Sequence, residues 1–475
     1  MKDSSVGDPI HCGLSLRVPI TLTACCVVLL LTSAWPQQSG TASGASHLAP
    51  GASAKAECDA IAAIGTPGSA VIDPLVPTRI KLMPTRYRDL VSAGAGYRMS
   101  GTPLVAFNGK VFGPAGGPDD PGSYYLIPAI SRRLRWPMVQ SVDVFYNSVL
   151  LFALLTGGLG FIACLGTRVG KWVACAQLCL LTGVAYEIGD VYVFMMVSAA
   201  AIVPWCLYFA QPKAGGFQLV FSLLSGLIIG ISDTIRAHSG TGALIFAVCI
   251  LLFQAAVGRT RKVLMIGLLL AGMAVPGIGL RSMLGKRDAF LSAVCPSYPK
   301  FSAQHPLWHS VYIGLGFLRN EYVPGYDDTV AYLKAQSVSP GALYGSSEYN
   351  QVLKGQVFSL VRSHPGLVMA TVAAKMGIIF FLLLCASNVG LLAAALYGKG
   401  WPIELAFWSA IGFNALFGVM VTPSPKYLLG LVSCAVLYSI VSIDFAIQRG
   451  AFHRLSSSIR GFSHVRHSRR VLIPR

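Results

Sequence analysis

The sequence predicts an all-α polytopic membrane protein with about ten transmembrane helices, both termini cytoplasmic and two large extracytoplasmic loops. Three observations carry this. Of 475 residues, 54% are hydrophobic and only 12% charged, whereas a soluble domain carries about a quarter charged residues; a water-soluble enzyme is excluded. Apolar runs long enough to cross a bilayer recur along the chain. The short loops between them are basic in alternation. Against 19 acidic residues stand 37 Lys and Arg, giving +18, but that charge lies largely in short loops and the C-terminal tail. It reads as topology before it reads as a partner, and no nucleic-acid partner is expected.

The elements follow in order. Residues 1–35 form a cytoplasmic arm and a first apolar run, Val18–Trp35. That run is long enough to be either a retained span or a secretory signal ending near Ser33-Ala34; we read it as retained. Residues 36–140, rich in Gly, Pro, Ala and Ser, hold no crossing run and form an extracytoplasmic loop. Helices 2–7 occupy residues 141–281, at about 143–165, 171–189, 191–210, 216–234, 241–258 and 263–281. A second, aromatic-rich extracytoplasmic loop covers 282–365. Helices 8–10 fill 366–447, at about 367–397, 403–421 and 427–447, and 448–475 is a basic cytoplasmic tail.

Arg168 and Lys171, Lys213, Arg259, Arg261 and Lys262, and Lys399 fall in alternate short loops on the side of the tail. With an even span number this puts both termini inside and both large loops outside. The tail reads as a topology signal first and as a contact for anionic lipid second. Of 12 cysteines, only Cys58 and Cys295 fall in the outer loops. They are a candidate disulfide in an oxidising compartment, or two unrelated thiols. The chain has no C-x-x-C, H-E-x-x-H or G-x-x-x-x-G-K-[ST] pattern, so neither a dedicated zinc site nor an ATP-driven motor is expected.

Chemistry concentrates at the predicted outer junctions. In Gly117-Pro118-Asp119-Asp120-Pro121-Gly122, two adjacent carboxylates are framed by turn residues. The following Tyr124, Tyr125 and their apolar neighbours read as a short amphipathic segment lying on the membrane. Asp119 or Asp120 could accept a hydroxyl proton, and its neighbour could orient it or hold a divalent cation; the plain alternative is a polar turn. Glu187 and Asp190, three apart between the third and fourth spans, would face one way on a helical end, and carboxylates at a membrane boundary tend to be functional. In Ser232-Asp233-Thr234-Ile235-Arg236-Ala237-His238-Ser239-Gly240, Arg236 offers a donor fork suited to phosphate, with His238 beside it. The competing account is a local Asp233–Arg236 pair.

The second outer loop carries His305, Trp308 and His309, then Tyr312 and Asn320, then Tyr326-Asp327-Asp328. This mixture suits a sugar, with aromatic faces for stacking and amides for hydroxyls. Interfacial anchoring explains Trp308 and Tyr312 equally well, and His305 and His309 read as structural rather than metal ligands.

The layout resembles the GT-C superfamily of polytopic glycosyltransferases, which includes protein O-mannosyltransferases and lipid A aminoarabinose transferases. The resemblance rests on a first span, a large first outer loop ending in Asp119-Asp120-Pro121-Gly122 with Tyr124 and Tyr125, many short-looped spans, and a second outer loop. It implies transfer of a sugar from a polyprenyl-phosphate carrier, typically with inversion, to a glycan, lipid or protein acceptor on the extracytoplasmic face. It further implies Asp119 or Asp120 as the base, Glu187 or Asp190 as a second carboxylate, and Arg236 with His238 at the donor phosphate. Tyr124, Tyr125, His305, Trp308, His309 and Asn320 are the expected substrate contacts, and no cofactor is required beyond a possible divalent cation. A bacterial inner membrane is the expected location. The chain has Asp-Asp where O-mannosyltransferases have Asp-Glu, which leaves acceptor class and metal dependence open. A polysaccharide polymerase or ligase of the O-antigen type uses a similar layout but gives no reason for paired acids in a large first loop. A lipid-linked sugar transporter predicts charges deep in spans or an internal repeat.

Overall fold

The computed structural model describes residues 78–116, 120–211, 217–254, 256–296, 298 and 307–450. The expected first span, Val18–Trp35, and the basic tail beyond Gly450 lie outside the described residues. Within them the chain is an all-α polytopic protein with one two-stranded hairpin.

Helix α1 (Pro84–Ser100) starts on a proline, whose fixed φ suits a first helical turn. The antiparallel hairpin β1 (Val105–Phe107) and β2 (Phe112–Pro114) follows, pairing Ala106 with Gly113. Helix α2 (Ser123–Leu134) leads into α3 (Met138–Cys164), α4 (Arg168–Ile188), α5 (Val193–Phe209), α6 (Gln218–Ile235) and α7 (Thr241–Cys249). A π-helical turn, Ile250–Gln254, extends α7, and α8 (Arg259–Val294) completes this half. Then come α9 (Leu307–Gly314), α10 (Asp328–Val338), α11 (Ser347–Ser363), α12 (Pro365–Ser387), α13 (Val389–Leu396), α14 (Trp401–Met420) and α15 (Leu429–Gln448).

Seven helices, α3, α4, α6, α8, α12, α14 and α15, are long and apolar enough to cross a membrane. Two shorter apolar helices, α5 and α7 with its π-turn, stand where the sequence predicts spans at 191–210 and 241–258. At about 1.5 Å per residue the 17 residues of α5 reach only ~25 Å, short of a ~30 Å hydrocarbon core. Every residue from Val193 to Cys206 is nevertheless buried, because α3, α4, α6, α7 and α15 pack around it. Its solvent is protein, so lipid thickness does not set its length. Close crossing depends on small residues: a Cβ on Gly226 of α6 would lie 2.0 Å from the Leu269 carbonyl of α8.

Three boundaries differ from the sequence reading. Helix α8 does not stop at residue 281 but runs on to Val294, because its last turns have the hairpin to pack on, with Phe290 edge-on to Phe112 at 5.4 Å. The stretch 367–397 is two helices rather than one long one; it breaks at Asn388, at φ +40°, whose side chain accepts from Val389 N–H at 2.6 Å. The segment after Asp120 is not an open amphipathic surface helix: eight of the 12 residues of α2 are buried against α1 and α3.

Alternate loops share an end of the bundle. At one end Asp444 of α15 accepts from the amides of Gly166 and Thr167 at 3.1 and 3.0 Å, anchoring the start of α4. Phe253 meets Trp401 there at 5.2 Å, and Lys262 caps the Leu252 carbonyl at 2.7 Å. This is the basic end, bearing Arg168, Lys171, Arg259, Arg261, Lys262, Lys399 and Arg449. At the other, the carboxylate end, the loops carrying Asp120, Asp190, Thr234 and Tyr427 meet. Helices α9 to α11 build a second small core there around Tyr312, Tyr349 and Leu353. Lys375, eleventh in α12, is buried and donates to the carbonyls of Val419 and Val421 at 2.9 and 2.8 Å. It stands level with the end of α14, so the first turns of α12 project beyond that helix.

Candidate functional site

The site forms where loops from both halves of the chain converge, and its centre, Arg86, is a residue the sequence reading does not single out. Arg86 is the third residue of α1 and lies on the helix's buried face with Leu90, Ala93 and Gly94. An arginine spaced i, i+4, i+7 and i+8 with small and apolar residues was the available signal, and the bulk basic character of the 36–140 loop concealed it.

The Arg86 guanidinium, 9% exposed, makes an ion pair with Asp120 through NH1 and with Asp190 Oδ1 through Nε at 2.6 Å. NH1 also donates to the Tyr124 hydroxyl at 3.3 Å. Burial works against the arginine's charge, but Tyr124, Asp190 and Tyr146 around it, with the Asp190 hydrogen bond, outweigh that and raise its pKa. Burial likewise pushes the Tyr124 phenol up to about 12. Two carboxylates about seventy positions apart thus share one buried cation.

The two turns that deliver them are tied down separately. Ser123 Oγ donates to the Asp120 carbonyl at 2.9 Å, and Gly122 N–H donates to the Thr234 carbonyl at 2.8 Å. A Cβ at Gly122 would stand 2.7 Å from that oxygen, so the approach requires glycine. Helix α4 ends at Ile188; Gly189 and Asp190 then take φ of +63° and +58°. This left-handed pair parts Glu187 from Asp190, correcting the expectation that both face one way. Glu187 is exposed and pairs with the equally exposed Lys81 at 2.5 Å, a contact of small energetic value. Asp190 turns inward, where its Oδ2 and the Tyr146 hydroxyl are buried with no hydrogen-bond partner among the described residues.

Beside this cluster lies a cationic one. Arg236 sits 5.1 Å over the Tyr192 ring, and the Lys426 ammonium lies 5.7 Å from the same ring and 5.1 Å from that of Tyr427. Tyr192 and Tyr427 meet edge to face at 5.2 Å, and the Tyr326 hydroxyl donates to that of Tyr427 at 3.1 Å. Arg236 and Lys426 are half-buried, an environment in which a cation pair strengthens its hold on an anion. Asp233 does not pair with Arg236; its Oδ1 accepts from the Gly240 amide at 2.7 Å. His238 is exposed, at φ +64°, with its ring 6.4 Å from that of Phe417. Lys426, Tyr427 and Tyr146 had no local motif to mark them, whereas Tyr326 stood within the aromatic second outer loop.

The other expected substrate contacts have different duties. Tyr124 and Tyr125 are buried, the second 6.2 Å from Tyr97, so neither offers a ring face to a sugar. Trp308 packs on Phe358 at 5.5 Å beneath Lys354. His309 is buried between the Tyr349 hydroxyl at 2.6 Å and Asp328 at 3.0 Å, a structural role. Asn320 folds its own loop, donating to the carbonyls of Leu315 and Leu318 and accepting from the amides of Tyr322 and Val323. Asp119 and His305 lie outside the described residues. Among the described residues no group of three His, Cys, Asp or Glu side chains is placed to hold a metal ion. Cys295 is disulfide-bonded, and Cys58 lies outside the described residues. No family model, curated protein or solved structure matches this chain.

Proposed function

We propose that this chain is a membrane glycosyltransferase that moves a sugar from a polyprenyl-phosphate carrier to an acceptor on the extracytoplasmic face. The observation that carries the reading is the union, at one end of the bundle, of the Asp120–Arg86–Asp190 cluster with the Arg236–Lys426 pair on Tyr192. Acid groups and phosphate-binding groups are what such a transfer needs side by side. A disulfide at Cys295, just past the carboxylate end of α8, supports an oxidising compartment for that end. Basic residues at the opposite end support a cytoplasmic side there.

In this reading Asp120 is committed to Arg86 and anchors the turn, and the base role falls to its neighbour Asp119. The base accepts the acceptor's hydroxyl proton as that oxygen bonds to the anomeric carbon. The bond from that carbon to the carrier phosphate breaks, and the phosphate leaves with the electron pair, its charge met by Arg236 and Lys426. A divalent cation beside the paired acids, and a bacterial inner membrane as the location, belong to the same proposal.

The test compares membrane glycans and polyprenyl-linked sugars in cells carrying wild type, Asp119→Asn or Lys426→Ala. A glycan should lose one sugar while its monosaccharide carrier accumulates in Asp119→Asn. Lys426→Ala should raise the KM for the donor about ten-fold, the loss of one charge-assisted contact. Accumulation of lipid-linked oligosaccharide would move the assignment to a polymerase or ligase, and unchanged pools would sink it.

A further inference from the structure

Away from this site, the flank of α3 has a groove of about 690 Å³ at its carboxylate end. Val144, Asn147, Ser148 and Leu151 line it, at spacings that put them on one helix face. Among the described residues nothing packs over that face: Leu151 is 54% exposed, and Asn147 and Ser148 are exposed as well. An apolar face on a spanning helix is ordinary, whereas an exposed amide and hydroxyl about ten residues in, or ~14 Å along the axis, are not. Neither side chain has a hydrogen-bond partner among the described residues.

Arg79 overhangs the groove on a fixed mount. Its backbone N–H donates to Asp143 Oδ1 at 2.9 Å, and its carbonyl accepts from the Tyr186 hydroxyl at 3.1 Å. Asp143, the acid of the groove, is held by backbone amides through Oδ1, to which the Ile80 amide also donates at 3.4 Å. The Arg79 guanidinium itself is exposed and has no ion-pair partner among the described residues. A cation on a fixed stretch of backbone, two polar groups below it without partners among the described residues and an apolar floor toward the membrane interior describe the complement of an anionic amphiphile.

We infer that this groove binds an anionic phospholipid, its phosphate on Arg79, its polar linkage on Asn147 and Ser148, and an acyl chain along Val144 and Leu151. The site is separate from the Arg236–Lys426 pair and does not depend on the transferase reading.

The full chain is reconstituted in nanodiscs of mixed phosphatidylcholine and phosphatidylglycerol with a photo-reactive amino acid at Leu151, and the lipid adducts are weighed by mass spectrometry. Wild type should yield phosphatidylglycerol adducts about five-fold above that lipid's share of the bilayer, matching ~1 kcal/mol for one arginine at an anionic surface. Arg79→Ala should return the ratio to the bilayer share, and Arg79→Lys should keep most of the enrichment. The mount consists of backbone hydrogen bonds, so these variants keep the groove. Labelling in proportion to bilayer composition, or enrichment that survives Arg79→Ala, overturns the inference. So does a cross-link from Leu151 to the Val18–Trp35 segment in place of lipid, which would make the chain's own first apolar run the occupant.

Discussion

Arg86 Nε stands 2.6 Å from Asp190 Oδ1, joining a helix of the first large loop to the turn between two membrane helices. With Asp120 on the same guanidinium, the pair sets how the 78–134 segment sits on the bundle. Removing one partner of a buried ion cluster leaves an uncompensated charge, at a cost of about 3–5 kcal/mol. Arg86→Ala should therefore lower the thermal unfolding temperature more than any single carboxylate change, because it strands both Asp120 and Asp190. Thermal aggregation in detergent, read by size-exclusion chromatography, checks the order; a neutral Arg86→Ala would mean that the cluster holds nothing together.

Gly122→Ala should be disruptive although it adds one methyl group, because the nearest atom is the backbone oxygen of Thr234, which has no rotamer to retreat to. The expected cost is about 1–3 kcal/mol. Gly398→Ala, at a loop position with nothing within 4 Å, serves as the neutral comparison in the same assay.

Lys375→Met keeps the length and loses the ammonium. It would leave the carbonyls of Val419 and Val421 without their donor at the end of α14, costing about 1–3 kcal/mol for each. Hydrogen exchange should then quicken at the end of α14 and spread into the 421–428 loop that carries Lys426. Unchanged protection there would separate Lys375 from that loop.

Acid should loosen the small core of α9–α11 before the membrane helices. The Asp328 carboxyl is held below its ordinary 3.8 by the hydrogen bond from His309. A carboxyl depressed in the folded state stabilises fully above its unfolded pKa, and that contribution is lost as pH falls through the lower, folded value. Because Asp328 is well exposed, solvent screening keeps the effect modest. Limited proteolysis between pH 7 and pH 3 should show added cleavage in 307–363 below about pH 4, and Asp328→Asn should remove that pH dependence.

The helices were legible because apolar runs and lipid thickness leave the chain few choices, yet α5 and α7 came out shorter than a span. A helix wrapped by other helices need not match the bilayer, and a hydropathy pattern cannot distinguish lipid from protein as its surroundings. At the site, Asp120 stood out because turn residues frame it, and Asp190 because carboxylates at a membrane boundary tend to be functional. Glu187 stood out for the same reason and proved to be a surface acid, since the Gly189–Asp190 turn that separates the two is a matter of backbone angle. Arg86 becomes special only once Asp190, about a hundred positions on, is brought to it, and Lys426 only over Tyr192, more than two hundred positions back, and pattern along the chain does not record that.

The hydroxyl contact between Tyr326 and Tyr427 bears on the order in which this protein is made. The loop carrying Tyr427 emerges from the ribosome after Arg86, Asp120, Asp190 and Arg236, and the ring it presents to Tyr192 closes the cationic pair. A nascent chain can thus assemble the Arg86 cluster while α14 and α15 are still unmade, and stays without the Lys426 half of its anion site until they are inserted. Synthesis itself acts as a timer on the site.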